Sequence, residues 1–208
     1  MQRAFLAVAA AAVVLLAAPS AHGQYAYRVE PNHSSIAFVV PIAGGMTKVR
    51  GSFNKFEVDM VHDESNPSQW SVKAAIEVAS IHTGIADRDK DLLGEAFFDA
   101  AHHPQITFTS QRIEKRGDKY IAYGDLVIRG IRKAIALEFV ITGYQHDKSE
   151  PDSRPIFGAS ARATLNRLEF KVGADWKHTL IPNFIGNDIA IEIDLWTRGG
   201  RKIASNSR

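Results

Sequence analysis

Alternation of apolar and polar residues dominates this chain from Tyr25 onward. Side chains on a β-strand point to opposite faces in turn, so an apolar residue at every second position indicates a strand with one buried face. In 48–61 the apolar positions change parity, which predicts a bulge near Asn54 and Lys55. The clearest alternating segments are 36–42, 70–78, 135–141, 157–165 and 189–195, and further strands are predicted at 25–30, 48–61, 105–114 and 119–129.

One segment, 85–101, has helical spacing instead. Its apolar residues include Leu92, Leu93 and Phe97, and Gly94 interrupts them, so we expect one or two short helices there. The eight or nine predicted strands favour a closed barrel over an open sheet with exposed edges. The sequence therefore predicts an all-β fold, an antiparallel β-barrel of about eight strands with a short helical insertion.

The alternation leaves two arrangements of such a barrel open. A soluble barrel has its apolar rows inside, whereas an outer-membrane barrel has them outside and a polar lumen. The apolar rows here lack paired aromatic girdles, and one row contains Ala159, Ala161 and Ala163 in succession. Both features favour the inward arrangement. The pattern alone does not decide between a tunnel for an apolar ligand and a close-packed core.

The first residues of the chain predict a secretory signal peptide. Arg3 precedes an uninterrupted apolar run at 4–18, and Ala21-His22-Gly23 has the form of a cleavage site. A membrane anchor is the alternative, but this run rises only about 22 Å as a helix, against roughly 30 Å of hydrocarbon core. We therefore expect a signal peptide at 1–23, a barrel domain at 24–197 and a basic flexible tail at 198–208.

Composition and charge exclude several kinds of site. The 208 residues include no cysteine, which excludes disulfides, thiolate metal ligands and a cysteine nucleophile. An exported chain without cysteine fits a periplasmic location. The formal net charge is +2, and the predicted tail alone contains Arg198, Arg201, Lys202 and Arg208. The basic charge is therefore concentrated in the predicted tail and does not form a basic face that could bind nucleic acid.

Five stretches of the chain, in order, are similar to one known family. They are YRVEPNHSSIAFVV (27–40), VRGSFNKFEVDM (49–60), IHTGIADRDKDLLGEAFFDAAHHPQITFTS (81–110), YGDLVIRGIRKAIALEF (123–139) and ATLNRLEFKVG (163–173). Together they resemble the YceI-like family of bacterial periplasmic, lipocalin-like polyisoprenoid-binding proteins. Three residues depart from the family pattern: Glu30 stands where Asp is usual, Asp91 where His is frequent, and Ala96 where Asp is usual.

The resemblance implies a lipocalin-like barrel that binds or carries an isoprenoid chain rather than catalysing a reaction. With the apolar rows inside, the residues expected to line the cavity, with Phe97 and Phe98 closing one mouth, are Ile36, Phe38, Val40, Phe53, Ile76, Val78, Phe97, Phe98, Phe108, Leu126, Ile128, Phe139 and Ile191. Arginine offers a planar fork that matches phosphate oxygens. The polar residues expected at a head group or at the mouth are His33, Arg88, Asp89, Arg129 and Arg167.

The predicted function is periplasmic binding or carriage of a long-chain isoprenoid lipid, such as a polyprenyl phosphate or a quinone, without cofactor or metal. We expect no nucleic-acid partner and no stable membrane insertion, and a homodimer is a candidate assembly. Two alternatives remain open. One is a periplasmic hydrolase or metal-dependent enzyme using His33, His82 or His103, although these histidines lack the spacing of a metal site. The other is a small outer-membrane barrel.

Overall fold

The computed structural model describes residues 25–63, 66–145 and 156–202; the predicted signal peptide at 1–23 and the tail end at 203–208 lie outside this part. No helix in the described ranges is long and apolar enough to cross a bilayer. The described residues form one helix, α1 (Ala86–Leu93), and the strands β1 (Tyr25–Val29), β2 (Ser35–Ile42), β3 (Thr47–Phe53), β4 (Phe56–His62), β5 (Ser71–Glu77), β6 (Ile81–His82), β7 (Gln105–Arg116), β8 (Lys119–Ile128), β9 (Ile131–Gln145), β10 (Ile156–Asn166) and β11 (Asp188–Lys202).

These strands close into an antiparallel barrel of eight strands. β4, β5, β7, β8, β9, β10 and β11 pair in this order, and β1 pairs with both β4 and β11, which closes the ring. β2 continues the path of β1 along β11, β3 continues that of β4, and β6 pairs with β3. The predicted all-β fold, an antiparallel barrel with a short helical insertion, is confirmed.

Short turns interrupt the long strands without opening the barrel. Asn54 and Lys55 separate β3 from β4, where the change of parity predicted a bulge. A 3-10 turn, Pro31–His33, separates β1 from β2, and the side chain of Glu30 caps it by accepting a backbone hydrogen bond. A similar turn, Val78–Ser80, separates β5 from β6. Each interruption lets a strand bend as a small barrel requires.

β11 extends further than the sequence predicted. It continues through Arg198 to Lys202 and pairs there with β1, so that Arg28 faces Arg198 and Tyr25 faces Lys202. The sequence predicts a flexible tail from Arg198 because 198–208 contains four basic residues and no acidic residue. Backbone pairing with β1 holds this segment in the barrel, and it does not depend on an apolar row.

The apolar rows face the interior of the barrel. Ile36, Phe108 and Phe139 are buried, whereas the polar residues Lys73 and Glu138 on the opposite faces of their strands are exposed. This is the inward arrangement that the sequence favoured. It is the reverse of the outer-membrane arrangement, in which the apolar face is outside and the lumen is polar.

One end of the barrel is filled with rings, which we call the aromatic plug: Tyr27, His62, Trp70, Tyr120 and Phe157. Tyr27 is in the middle of the short strand β1, and the other four residues lie at or next to strand ends that antiparallel pairing brings together. The ring centroids of His62 and Trp70 are 4.2 Å apart, those of Trp70 and Tyr120 4.6 Å, and those of Tyr27 and Phe157 4.9 Å. All five side chains are buried, so this end of the barrel is closed.

The opposite end, which we call the loop end, is covered by α1 and two irregular segments, 94–104 and 167–187. The helix stops at Gly94, whose N–H donates to the carbonyl of Asp91. The N–H of Phe98 then donates to the carbonyl of Leu92, which turns the chain back over the barrel. The N–H of Gly173 donates to the carbonyl of Ala96 at 2.9 Å and joins the two irregular segments.

Candidate functional site: an apolar cavity in the barrel

A cavity of about 300 Å³ occupies the barrel between the aromatic plug and the loop end. Its lining is hydrophobic except for Thr83, Arg88, Ser160 and Arg167. Pockets for small molecules in proteins measure roughly 300–1,000 Å³, so the cavity is at the lower end of that range. The sequence left a tunnel and a close-packed core as alternatives, and the structure combines them: the barrel is filled at one end and hollow beyond it.

Most residues that the sequence placed on the cavity wall lie there. Val78 does not, because it belongs to the turn after β5, where the alternation of the strand no longer applies. Its side chain is 1% exposed and packs within the core instead. That these wall residues contact a ligand stays a prediction. The expected residues that line the cavity are Ile36, Phe38, Val40, Phe53, Ile76, Phe97, Phe98, Phe108, Leu126, Ile128, Phe139 and Ile191.

Small residues keep the cavity open. Ala161 and Ala163 face inward on β10, where a larger side chain would project into the space. Gly51 on β3 pairs with Phe38 on β2, and a Cβ atom built on Gly51 would come within 2.3 Å of the phenyl ring. The ring of Phe38 therefore lies against the backbone of β3, close to the barrel wall.

Arg88 is held at the loop end by Thr83. The Oγ1 atom of Thr83 donates to Oδ1 of Asp89 and accepts from Nε of Arg88 at 2.7 Å, and Nη2 of Arg88 donates to the carbonyl of Thr83 at 2.7 Å. The hydrogen bonds from Thr83 hold the pKa of Asp89 below its ordinary value. The remaining N–H groups of Arg88 have no acceptor within the described ranges. Arg88 thus lines the cavity and has N–H groups that are available to a ligand.

Arg167 also lines the cavity, but its donors are used. Its guanidinium donates to four backbone carbonyls between Val172 and Gly186 and to Oδ1 of Asn187, at 2.7 to 3.1 Å. These bonds occupy all the N–H groups of an arginine side chain. Burial lowers the pKa of Arg167. Arg167 therefore stabilises the backbone of segment 167–187 and has no N–H group left for a ligand.

Arg129 is outside the cavity lining and fastens the covering segments from the end of β8. Its guanidinium donates to the carbonyl of Glu95 at 2.7 Å and to the carbonyl of Lys171. Arg129 therefore connects 94–104 with 167–187 at the loop end, the mouth to which the sequence assigned it. Arg129 therefore stabilises the loops and does not line the cavity.

His33 lies on the outer wall of the barrel and not at the mouth. Its Nδ1 atom is 2.5 Å from Oε2 of Glu30, and its ring meets the edge of Trp196 at a centroid distance of 4.7 Å. The hydrogen bond with His33 is the main cause that holds the pKa of Glu30 below its ordinary value. The turn between β1 and β2 projects His33 away from the interior, so His33 does not lie at the predicted mouth.

The histidines of the enzymatic alternative have different neighbours. His33 is next to Glu30, His82 is 3.4 Å from a carboxylate oxygen of Asp89, and His103 lies against Gly130. In the described ranges, no group of three His, Cys, Asp or Glu side chains is arranged to hold a metal ion. These side chains do not share a common site.

Several cavity residues were missed by the sequence analysis. Phe170, Val172 and Ile185 line the cavity from segment 167–187, which has no strand or helix over most of its length. Thr83 lies in the turn before α1. Hydrophobic periodicity cannot detect such residues. Thr83, Phe170 and Val172 lie in stretches that resemble the family, whereas Ile185 has no such signal.

The closed antiparallel barrel and its internal apolar cavity define a lipocalin-like protein. Residues 27–196 match the YceI-like domain family. The chain therefore belongs to the YceI-like family, as the sequence resemblance implied. A UPF0312 protein of Yersinia pestis is 32% identical over 175 residues, which cover 84% of this chain and 89% of that protein.

Solved structures agree with this assignment. BcnA of Burkholderia cenocepacia is 25% identical, superposes with a TM-score of 0.70, and is matched over 81% of this chain and 98% of its own. A polyisoprenoid binding domain from Saccharophagus degradans superposes with a TM-score of 0.62 over 83% of this chain and 98% of its own. At 13% identity, the second likeness establishes the shared fold.

Proposed function

We propose that this chain binds a long-chain isoprenoid lipid in its barrel cavity, without catalysis. The observation that carries the proposal is a cavity of about 300 Å³ whose lining is almost entirely hydrophobic. Moving a hydrocarbon chain from water into such a lining contributes about 25 cal/mol per Å² of apolar area. The Saccharophagus degradans domain of the same fold is described as polyisoprenoid binding, and we extend that ligand class to this chain as part of the proposal.

The two ends of the cavity give the bound lipid a direction. The aromatic plug closes one end, so the hydrocarbon tail points toward it and the head group stays at the loop end. Arg88 lines that end and has N–H groups without an acceptor in the described ranges. An arginine fork matches the oxygens of a phosphate. We therefore favour an oxygen-rich head group, as in a polyprenyl phosphate or a quinone.

The proposal also includes the cellular location. The signal-peptide pattern at 1–23 and the lack of cysteine support export to the periplasm. Separation of periplasmic and cytoplasmic fractions tests this part, and a mature protein beginning near Gln24 in the periplasmic fraction is the expected result. Recovery of the uncleaved chain in the cytoplasm would contradict it.

The test of binding compares two neighbouring positions on β10. Ala163 lines the cavity, whereas Thr164 is exposed on the outer face of the same strand. Ala163→Phe places a phenyl ring in the cavity, and Thr164→Phe adds the same ring outside. We expect mass spectrometry of an organic extract to detect an isoprenoid lipid from the wild type and from Thr164→Phe, and much less from Ala163→Phe.

The same proteins are then titrated with a polyprenyl phosphate. Loss of binding in Ala163→Phe alone, with all three proteins folded by circular dichroism, supports the cavity as the binding site. A wild-type protein that yields no lipid and also fails to bind the added polyprenyl phosphate contradicts the proposal. Equal binding by both variants would place the ligand elsewhere.

A further inference from the structure

Exposed large apolar side chains are concentrated at the loop end of the barrel. Within the described ranges, Tyr144 is the single large hydrophobic residue exposed elsewhere. Met46 is 88% exposed and Leu180 84%, and the clustering of such side chains at one end, rather than the exposure of any one of them, marks an interaction surface. The exposed residues at this end, which we call the apolar rim, are Met46, Ile85, Leu168, Trp176, Leu180 and Ile181.

Two residues of the rim, Leu180 and Ile181, lie on a turn that is held by hydrogen bonds to His178. The Nδ1 atom of His178 accepts hydrogen bonds from the backbone N–H groups of Leu180 and Ile181, both at 3.1 Å. The ring of His178 stacks on Phe184 with a centroid distance of 4.3 Å. This arrangement fixes the backbone so that Leu180 and Ile181 project into solvent from its tip.

The second exposed part of the rim lies next to this turn. The N–H of Ala43 donates to the carbonyl of Phe184 at 2.7 Å, and Ile42 forms a β-bridge with Ile185. The turn between β2 and β3, which carries Met46, is therefore packed against segment 167–187. Met46 and the Leu180–Ile181 tip extend from neighbouring turns at one end of the molecule.

The charges beside these two turns are mainly positive, whereas Asp87, Asp89 and Asp91 follow Ile85 elsewhere on the rim. The segment 41–50 contains Lys48 and Arg50 and no acidic residue, and 171–187 contains Lys171 and Lys177 against Asp175 alone. Basic residues around exposed apolar side chains are typical of surfaces that meet anionic lipid head groups. The long side chains of Lys and the ring of Trp suit the boundary between water and hydrocarbon.

We propose that the apolar rim docks on the surface of a lipid bilayer and places the loop end of the cavity against the membrane. This inference rests on the proposed function, because a lipid that fills the cavity has the bilayer as its source or destination. Arg88, at the polar end of the cavity, lies at the same end as the rim. Shallow insertion of the rim lets a lipid pass between the bilayer and the cavity with little exposure to water.

The experiment is flotation of the full chain with vesicles of phosphatidylcholine mixed with phosphatidylglycerol. The rim variant carries Leu180→Ser with Ile181→Ser, and the matched control carries Ile121→Ser, a partly exposed apolar residue on the outer wall of β8. All proteins share the same N-terminus, so its contribution cancels. We expect the rim variant to bind about tenfold more weakly than the wild type, from the lost burial of two aliphatic side chains. The control should bind like the wild type.

The outcomes separate docking from ligand binding. Weaker flotation of the rim variant, with an unchanged melting temperature and an unchanged lipid content by mass spectrometry, supports docking. Equal flotation of the rim variant and the wild type overturns it, as does a wild-type protein that fails to float. Flotation that is lost at high salt and insensitive to the rim substitutions also overturns it, because charge alone then explains binding. If the cavity holds no lipid but the rim-dependent flotation persists, the proposed ligand is wrong and docking stands.

Discussion

The two ends of the barrel are built from the same alternating strands and have opposite interiors. At the aromatic plug, the rings of Trp70 and Phe157 both pack against His62, and Trp70 also stacks on Tyr120. Toward the loop end, the inward faces carry alanines such as Ala161 and Ala163 among larger aliphatic and phenyl side chains, and a cavity remains. Alternation thus determines which face is buried, and side-chain volume determines whether the buried space is filled.

The ends also differ in how their polar groups are used. At the plug, the indole N–H of Trp70 donates to the carbonyl of Asp63, so its polar atom stabilises the packing. At the loop end, Arg167 donates hydrogen bonds that stabilise segment 167–187. Arg88 lines the cavity, and only two of its N–H groups have an acceptor in the described ranges. One end is organised for stability, and the other combines support with a group that can meet a ligand.

The largest effect should come from removing one ring at each end. Phe157→Ala removes a side chain that is 1% exposed and contacts Tyr27 and His62, so we expect a loss of about 3–5 kcal/mol in the free energy of unfolding. Phe98→Ala should cost only about 1–2 kcal/mol, because a ring beside a cavity has fewer contacts to lose. Denaturant titration of both variants measures the difference. Equal losses of unfolding free energy in the two variants would contradict the difference in packing between the two ends.

A smaller effect distinguishes the two arginines of the loop end. Arg167→Lys cannot reproduce five donated bonds, so we expect a loss of about 2 kcal/mol in stability. Arg88→Lys should leave stability nearly unchanged and weaken binding of a polyprenyl phosphate more than binding of the corresponding unphosphorylated alcohol. Thermal unfolding and ligand titration of both variants provide the readouts. A stability loss in Arg88→Lys equal to that in Arg167→Lys would contradict the division of roles.

The smallest effect is expected at Glu30, which lies on the barrel wall between the two ends, and it concerns the pH dependence of stability. The hydrogen bond with His33 lowers the pKa of Glu30 from its ordinary value of 4.5. The folded state therefore favours the ionised carboxylate, and this contribution is complete above pH 4.5 and is lost as the pH falls through the lowered pKa. We expect Glu30→Gln to reduce the acid-induced decrease in melting temperature, while Asp89 and Asp99, whose pKa values are also lowered, retain their contributions.

The control for this prediction is Glu57→Gln, at an exposed position on β4. It should leave the acid-induced decrease as it is in the wild type. The melting temperatures of Glu30→Gln and the wild type are compared between neutral pH and pH 3. If both fall by the same amount, the bond between Glu30 and His33 does not couple protonation to stability.

The sequence predicted the strands and the inward rows because backbone pairing and burial impose a period of two on them. It could not predict where the interior is hollow, since that depends on how side chains from distant strands, such as Phe38 and Gly51, meet in three dimensions. It also misplaced Val78, which lies in a short turn where the alternation fails, and it put His33 at the mouth although His33 lies on the outer wall. The cavity residues of segment 167–187 have no periodicity to reveal them.

The ring of strands is completed by the two ends of the described barrel, since β11 pairs with β1 as far as Tyr25 and Lys202. A nascent chain cannot close this ring until its final strand has left the ribosome. Contacts between such distant residues form slowly during folding. Until β11 pairs with β1, the unfinished barrel stays open and its apolar interior is exposed to water.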